Sequence, residues 1–174
     1  MKLGLGSYSY RWSIGHKDRT PSSPITCIEL LGITSKLDLD VLQIADNMPV
    51  HNIETQTLDQ LYRTAQKQGI NLEIGMQSFS TESIKLYLDI AQRLDARILR
   101  IALDGNDVGT SDDIIAKEFK NILPIAEKIN CKIAIENHFA FPSDRMAKII
   151  KLVDEEYLGA CLDCLLYTSP SPRD

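Results

Sequence analysis

The stretch Ile98-Leu99-Arg100-Ile101-Ala102-Leu103, then a helix-period segment, then Lys132-Ile133-Ala134-Ile135-Glu136-Asn137-His138 decides the fold. The two outer runs are short and apolar with little alternation, as expected of parallel strands covered on both faces. Between them Ile115, Phe119, Ile122, Ala126 and Ile129 recur at helical spacing, and Pro124 is expected to kink that helix. Strand, crossover helix and a second strand in this order form a βα unit that returns parallel to itself.

The same unit repeats in both directions. Further strand-like runs extend from Leu3 to Tyr8, Val41 to Ala45, Leu72 to Met76 and Leu158 to Leu162, with starts roughly 26–38 residues apart, enough for a helix in each gap. Leu58, Leu61, Tyr62 and Ala65 make one apolar stripe, with a capping box expected at Thr57 and Gln60 and a left-handed cap at Gly69. Ser80 is expected to cap the next helix, which would bury Ile84, Leu88 and Ala91. Met146, Ile149, Ile150 and Val153 make another stripe, opened by Pro142 and Ser143, while the first crossover, 25–37, is the least regular. Six strands and five helices in strict alternation mean an α/β fold. Two architectures are open. A doubly wound sheet would be complete at this length, whereas a (β/α)8 barrel of about 250 residues would be incomplete. The dinucleotide fingerprint that often accompanies the first is missing, because Gly4-x-Gly6 is followed by Ser9 where a third glycine belongs.

Composition narrows the function. The 174 residues are 44% hydrophobic and 25% charged, with a net charge of −5, which suits a packed domain and argues against a nucleic-acid footprint. No apolar run approaches the length of a membrane span, and no signal-peptide region opens the chain. The expectation is a soluble cytoplasmic protein. Four cysteines are too few for a disulfide scaffold, and Cys161-x-x-Cys164 lies in a strand-like run without a second pair, a poor setting for zinc or redox chemistry.

Polar residues gather where strands end. Gln43, Asp46 and Asn47 follow strand two, Arg100 interrupts strand four, Glu136 and His138 end strand five and Asp163 ends strand six. In both architectures active sites lie at the carboxyl ends of strands. Glu136 and His138, two apart on an extended segment, share a face. Glu136 and Asp163 close adjacent strands about 4.8 Å apart, and two carboxylates that close call for a proton or a cation between them. A divalent metal is the simplest resolution. Plainer readings stay open: Glu136 capping a neighbouring helix or pairing with a lysine, Asp163 capping a helix, His138 as a core hydrogen-bonding residue, and Asp46 and Asn47 shaping the turn before Pro49. His16 and His51 sit in polar loops and read as solvated. Arg100 needs a partner carboxylate or a substrate oxyanion.

Val41-Leu42-Gln43-Ile44-Ala45-Asp46-Asn47, Leu99-Arg100-Ile101, Ile133-Ala134-Ile135-Glu136-Asn137-His138 and Gly159-Ala160-Cys161-Leu162-Asp163 resemble the sugar phosphate isomerase/epimerase family of xylose-isomerase-like TIM barrels. The resemblance implies a barrel with one divalent ion (Mn, Mg, Co or Zn) held by Glu, Asp, His and Glu from strands five to eight. Glu136 would be the strand-five ligand and Asp163 the strand-six ligand. It implies a sugar or sugar phosphate as the small-molecule substrate, with Glu136 also moving the proton and His138 bonding a substrate hydroxyl or the developing oxyanion. Gln43, Asn47, Arg100 and Tyr8 would orient substrate, with Trp12 walling the pocket.

The superfamily also includes metal-dependent endonucleases acting at abasic sites, which the net charge and three histidines disfavour. The chain is expected to divide into a partial barrel, 1–164, of about five and a half βα units and a Ser/Pro-rich tail, 165–174, non-native or disordered. The family's last two ligands then have no counterpart. Open barrel edges invite association of copies or aggregation, and an inactive truncated fragment is the rival to catalysis.

Overall fold

The computed structural model describes residues 1–15, 19–77, 79–138 and 141–163. Six strands make one sheet: β1 (Gly4–Gly6), β2 (Val41–Ile44), β3 (Asn71–Gln77), β4 (Ile98–Ala102), β5 (Lys132–Glu136) and β6 (Leu158–Cys161). Every neighbouring pair is parallel, and the order along the sheet is the order along the chain. A doubly wound sheet reverses its strand order at a switch point; this one never does. The open-sheet alternative is therefore set aside in favour of an incomplete TIM-barrel wall of six parallel strands. β1 and β6 are its outer strands, and Leu3 and Leu162 beside them are exposed.

Between the strands run α2 (Cys27–Lys36), α3 (Thr55–Gln68), α4 (Thr81–Leu94), α5 (Asp112–Lys128) and α6 (Ser143–Val153), after a single-turn α1 (Arg11–Ile14). The irregular first crossover is a helix with the best start of all. Thr26 accepts from the Glu29 N–H, and the Glu29 carboxylate accepts from the Thr26 N–H at 2.8 Å, a reciprocal capping box. The box expected at Thr57 does not form, because α3 begins at Thr55, behind Glu54. Gly69 does close α3 in the left-handed region (φ 69°), and the Ser80 hydroxyl does accept from Ser83. Pro124 lies inside α5, which runs unbroken.

The helices bury the outward face of the sheet. Leu42, Ile44, Ile74, Leu99, Ile101, Ile133 and Ile135 are fully buried beneath residues such as Leu61, Leu88, Phe119 and Ile149. Each such side chain stabilises the fold by about 1.5–3 kcal/mol through removal from water. The alternate residues of the same strands face the other way, and they carry the polar chemistry.

Candidate active site

Inward residues of successive strands line up in layers. Gly75 lies opposite Arg100, Arg100 opposite Ala134, and Ala134 opposite Gly159. One step toward the carboxyl ends come Gln77, Ala102, Glu136 and Cys161. Small residues thus flank the two long charged ones. At Gly75 the need is steric, since a Cβ there would stand 2.7 Å from Arg100 Nε. The glycine makes the space that the guanidinium occupies.

Arg100 is buried and bridges two carboxylates. Nη2 donates to Asp46 Oδ1 at 2.6 Å and Nη1 donates to Glu136 Oε2. Tyr8 donates its hydroxyl proton to the other oxygen of Asp46, at 2.6 Å. A continuous chain of charge-assisted bonds therefore crosses from the end of β1 to the end of β5. Asp46 anchors Arg100 and does more than shape the turn before Pro49. The partner expected for Arg100 is found twice over, and its Nε is buried without a hydrogen-bond partner among the described residues.

The electrostatics are unbalanced. Burial raises the Glu136 carboxyl above the usual range and nearby Asp163 adds to the effect, against the opposing pull of Arg100 and His138. Asp46 and Glu136 thus share one guanidinium, while Asp163 acts on Glu136 from the neighbouring strand end. Burial and the hydrogen bond to Asp46 likewise push the Tyr8 hydroxyl up, so it stays a donor. Burial, followed by the charge of Glu136, raises the Cys161 thiol, which leaves it a weak nucleophile and metal ligand. Cys164 lies outside the described residues.

His138 is half-buried, with Nδ1 3.5 Å from Asp104 Oδ2. Asp104 in turn accepts from Gln77 Nε2 at 2.6 Å, and its carboxyl is lowered first by the Gly105 N–H and also by Gln77 and His138. Neither Gln77 nor Asp104 was singled out from sequence, although Asp104 stands two residues beyond Ala102 as His138 stands two beyond Glu136. Period-two counting past the strand ends would have found it.

The remaining expected residues divide. Asn47 accepts the Ser7 hydroxyl proton at 2.5 Å, and its Nδ2 is buried without a hydrogen-bond partner among the described residues. Gln43 donates to Glu73 Oε2 at 3.1 Å, deeper in the wall. Trp12 is exposed and stacked near the guanidinium groups of Arg11 and Arg19. His51 is not merely solvated: its Nδ1 is 2.9 Å from the Tyr87 hydroxyl, which burial pushes up to about 12. His16 and the segment 165–174 lie outside the described residues.

A cavity of about 190 Å³ opens beside Asp46 and Gln77, lined also by His51, Met76 and Tyr87. A larger one, about 300 Å³, lies near Lys120, Glu155 and Tyr157. Glu155 and Tyr157 precede β6, at the strand end away from Glu136, whereas the smaller cavity borders the site through Asp46 and Gln77 and reaches α4 at Ser83, Leu86 and Tyr87.

Asn137, immediately after Glu136, is buried and bonds the main chain of Asp163 in both directions. Its Nδ2 donates to the Asp163 carbonyl at 2.9 Å, and its Oδ1 accepts from the Asp163 N–H at 2.8 Å. Glu136 and Asp163 suit a hard divalent cation in kind. They do not suit it in number, since no group of three His, Cys, Asp or Glu donors converges among the described residues.

The sequence pattern of the xylose isomerase-like TIM barrel family matches residues 31–165. The chain belongs to that family. Its sequence is 26% identical over 163 residues to 3-oxo-isoapionate decarboxylase from Pectobacterium atrosepticum, an alignment covering 94% of this chain and 58% of that protein. Among solved structures, D-psicose 3-epimerase in the presence of D-fructose superposes with a TM-score of 0.72 at 15% identity, covering 93% of this chain and 63% of the epimerase. The IolI protein with a bound zinc atom gives 0.68 at 17% identity, with 97% and 64% covered. The chain thus spans about six-tenths of the length of these relatives.

Proposed function

We propose that this chain carries the substrate-facing wall of a sugar or sugar-phosphate isomerase/epimerase that transfers a proton at the carbon beside a carbonyl and depends on a divalent metal. The observation that carries the reading is the gathering of carboxylates at the carboxyl ends of the strands, with Asp46 and Glu136 sharing Arg100 and Asp163 close enough to Glu136 to help raise its carboxyl. Glu136 and Asp163 would hold the ion, with further donors from outside the described residues. When bound, a divalent ion supplies Lewis acidity to a substrate oxygen.

The chain's own residues do the rest. Glu136, desolvated and raised, is poised to take and return a proton. His138, with Nδ1 3.5 Å from Asp104, would face a substrate hydroxyl or the developing negative oxygen. Asn47 Nδ2 would donate to a substrate oxygen at the mouth, Tyr8, its proton given to Asp46, would accept from a substrate hydroxyl, and Gln43 fixes Glu73 beneath them. Arg100, with both terminal nitrogens committed, serves substrate through the carboxylates it holds. The reading places the chain in the cytoplasm; among the described residues no helix is long and apolar enough to cross a membrane. Copies of the chain would associate through the edges of β1 and β6.

A second reading follows from the decarboxylase relative. Loss of carbon dioxide from a 3-oxo acid also leaves negative charge beside a carbonyl, which the same donors would stabilise.

Deuterium wash-in separates the two. The protein is incubated with Mn²⁺ and a panel of ketoses in D₂O. Deuterium appearing beside the carbonyl, and lost in Glu136→Gln, is the result expected. Carbon dioxide release from a 3-oxo sugar acid with no wash-in from any ketose would replace the first reading by the second.

A further inference from the structure

Parallel strands β5 and β6 pair from Ile133 opposite Leu158 to Glu136 opposite Cys161, and there the ladder ends. Asp163 stands two residues further on. Its N–H and carbonyl both meet a single side chain, the buried amide of Asn137. The assignment of that amide is unambiguous, since the Asp163 N–H can only donate and so must face Oδ1, which turns Nδ2 to the Asp163 carbonyl. An amide presents the same donor and acceptor pair as a peptide group, so Asn137 continues the sheet by one rung made from a side chain.

We propose that Asn137 is a positioning residue: its amide clamps the main chain of Asp163 so that the Asp163 carboxylate is held beside Glu136. The proposal rests on the reading of Glu136 and Asp163 as the metal-facing pair. The clamp explains how a residue beyond the end of β6 keeps a fixed place relative to β5. It also gives the Glu136-Asn137-His138 run a division of labour, with the middle residue serving the next strand while its neighbours serve the site. No other residue type of similar size offers both a donor and an acceptor in this geometry. Aspartate has the same shape but sets a carboxylate oxygen against the Asp163 carbonyl.

Amide hydrogen exchange by NMR tests the clamp, using Asn137→Ala and the isosteric Asn137→Asp. The Asp163 N–H is expected to exchange about tenfold or more faster in Asn137→Ala, the equivalent of losing one hydrogen bond. Ile133, whose N–H is held by the Tyr157 carbonyl, should keep its protection and report an intact sheet. In Asn137→Asp the N–H contact survives while the carbonyl contact turns repulsive, so the expected acceleration is smaller. Equal Asp163 exchange in the parent chain and Asn137→Ala, with Ile133 protected in both, overturns the proposal. So does a loss of protection at Ile133 in both variants, which would make Asn137 a general fold residue.

Line broadening by Mn²⁺ adds a readout that a purely structural residue would not move. Half-broadening of the Glu136 and Asp163 signals, which lie within reach of the same ion, is expected to need severalfold more Mn²⁺ in Asn137→Ala than in the parent chain. Absence of broadening in the parent chain would remove the metal reading and leave the clamp to be decided by exchange.

Discussion

The two faces of β4 and β5 are built on opposite principles. Outward, Leu99, Ile101, Ile133 and Ile135 are buried apolar side chains that meet many neighbours, none of which is individually decisive. Inward, Arg100, Ala102, Ala134 and Glu136 form a face where one guanidinium and one carboxylate dominate and their small neighbours matter by what they leave out. Apolar packing is non-directional and tolerates substitution if volume is kept. The charged face is directional and tolerates very little, because each buried charge depends on a particular partner.

The widest separation between the faces should come from Arg100→Leu. Removing the cation leaves Asp46 and Glu136 without their shared partner, and urea denaturation should show a loss of about 3–5 kcal/mol. On the other face, Ile135→Val removes one methylene and should cost about 0.5–1.5 kcal/mol. If the two cost the same, the inward face is not held by its charges and the comparison fails.

A finer contrast lies within the inward face, between two glycines of one layer. A Cβ at Gly75 would stand 2.7 Å from Arg100 Nε, whereas one at Gly159 meets nothing within 4 Å. Gly75→Ala should destabilise by about 1–3 kcal/mol through overpacking and displace the guanidinium from Glu136. Gly159→Ala should lie within about 0.5 kcal/mol of the parent chain. Thermal unfolding of both variants, with a crystal structure of the first, checks the pair. An unshifted Arg100 in Gly75→Ala would show that the glycine is not there to make room for it.

These same residues mark what the sequence made legible. The strands and their parallel sense follow from short apolar runs separated by helix-period segments, and the shared face of Glu136 and His138 from their spacing of two, which are local signals. The pairing of Arg100 with Asp46 spans 54 residues and depends on how the strands are curved together, so no local pattern carries it. Gly75 is invisible for the same reason, since its role is defined by a side chain on the next strand. The helix start at Thr55 was misplaced because Thr57 and Gln60 match the capping pattern equally well on paper. A true box forms instead at Thr26 and Glu29, ahead of the crossover whose apolar pattern is the least regular.

The smallest effect concerns protons, and its sign decides which force governs Glu136. Burial raises the carboxyl in the folded chain above its usual range, more than Arg100 lowers it. Between the ordinary carboxylate value and the raised one, the folded chain therefore holds a proton that the unfolded chain has released. Stability falls as pH rises through that window. Other carboxylates act the opposite way; Asp104, lowered in the folded chain, contributes stability that is lost as pH drops. Comparing the parent chain with Glu136→Gln cancels those common contributions. The difference in unfolding free energy should shift in favour of the glutamine variant as pH is raised through and just above the usual glutamate range, then level off. A shift in favour of the parent chain would mean that the Arg100 pairing outweighs desolvation. The inward face would then be stabilised by its charges rather than strained by them.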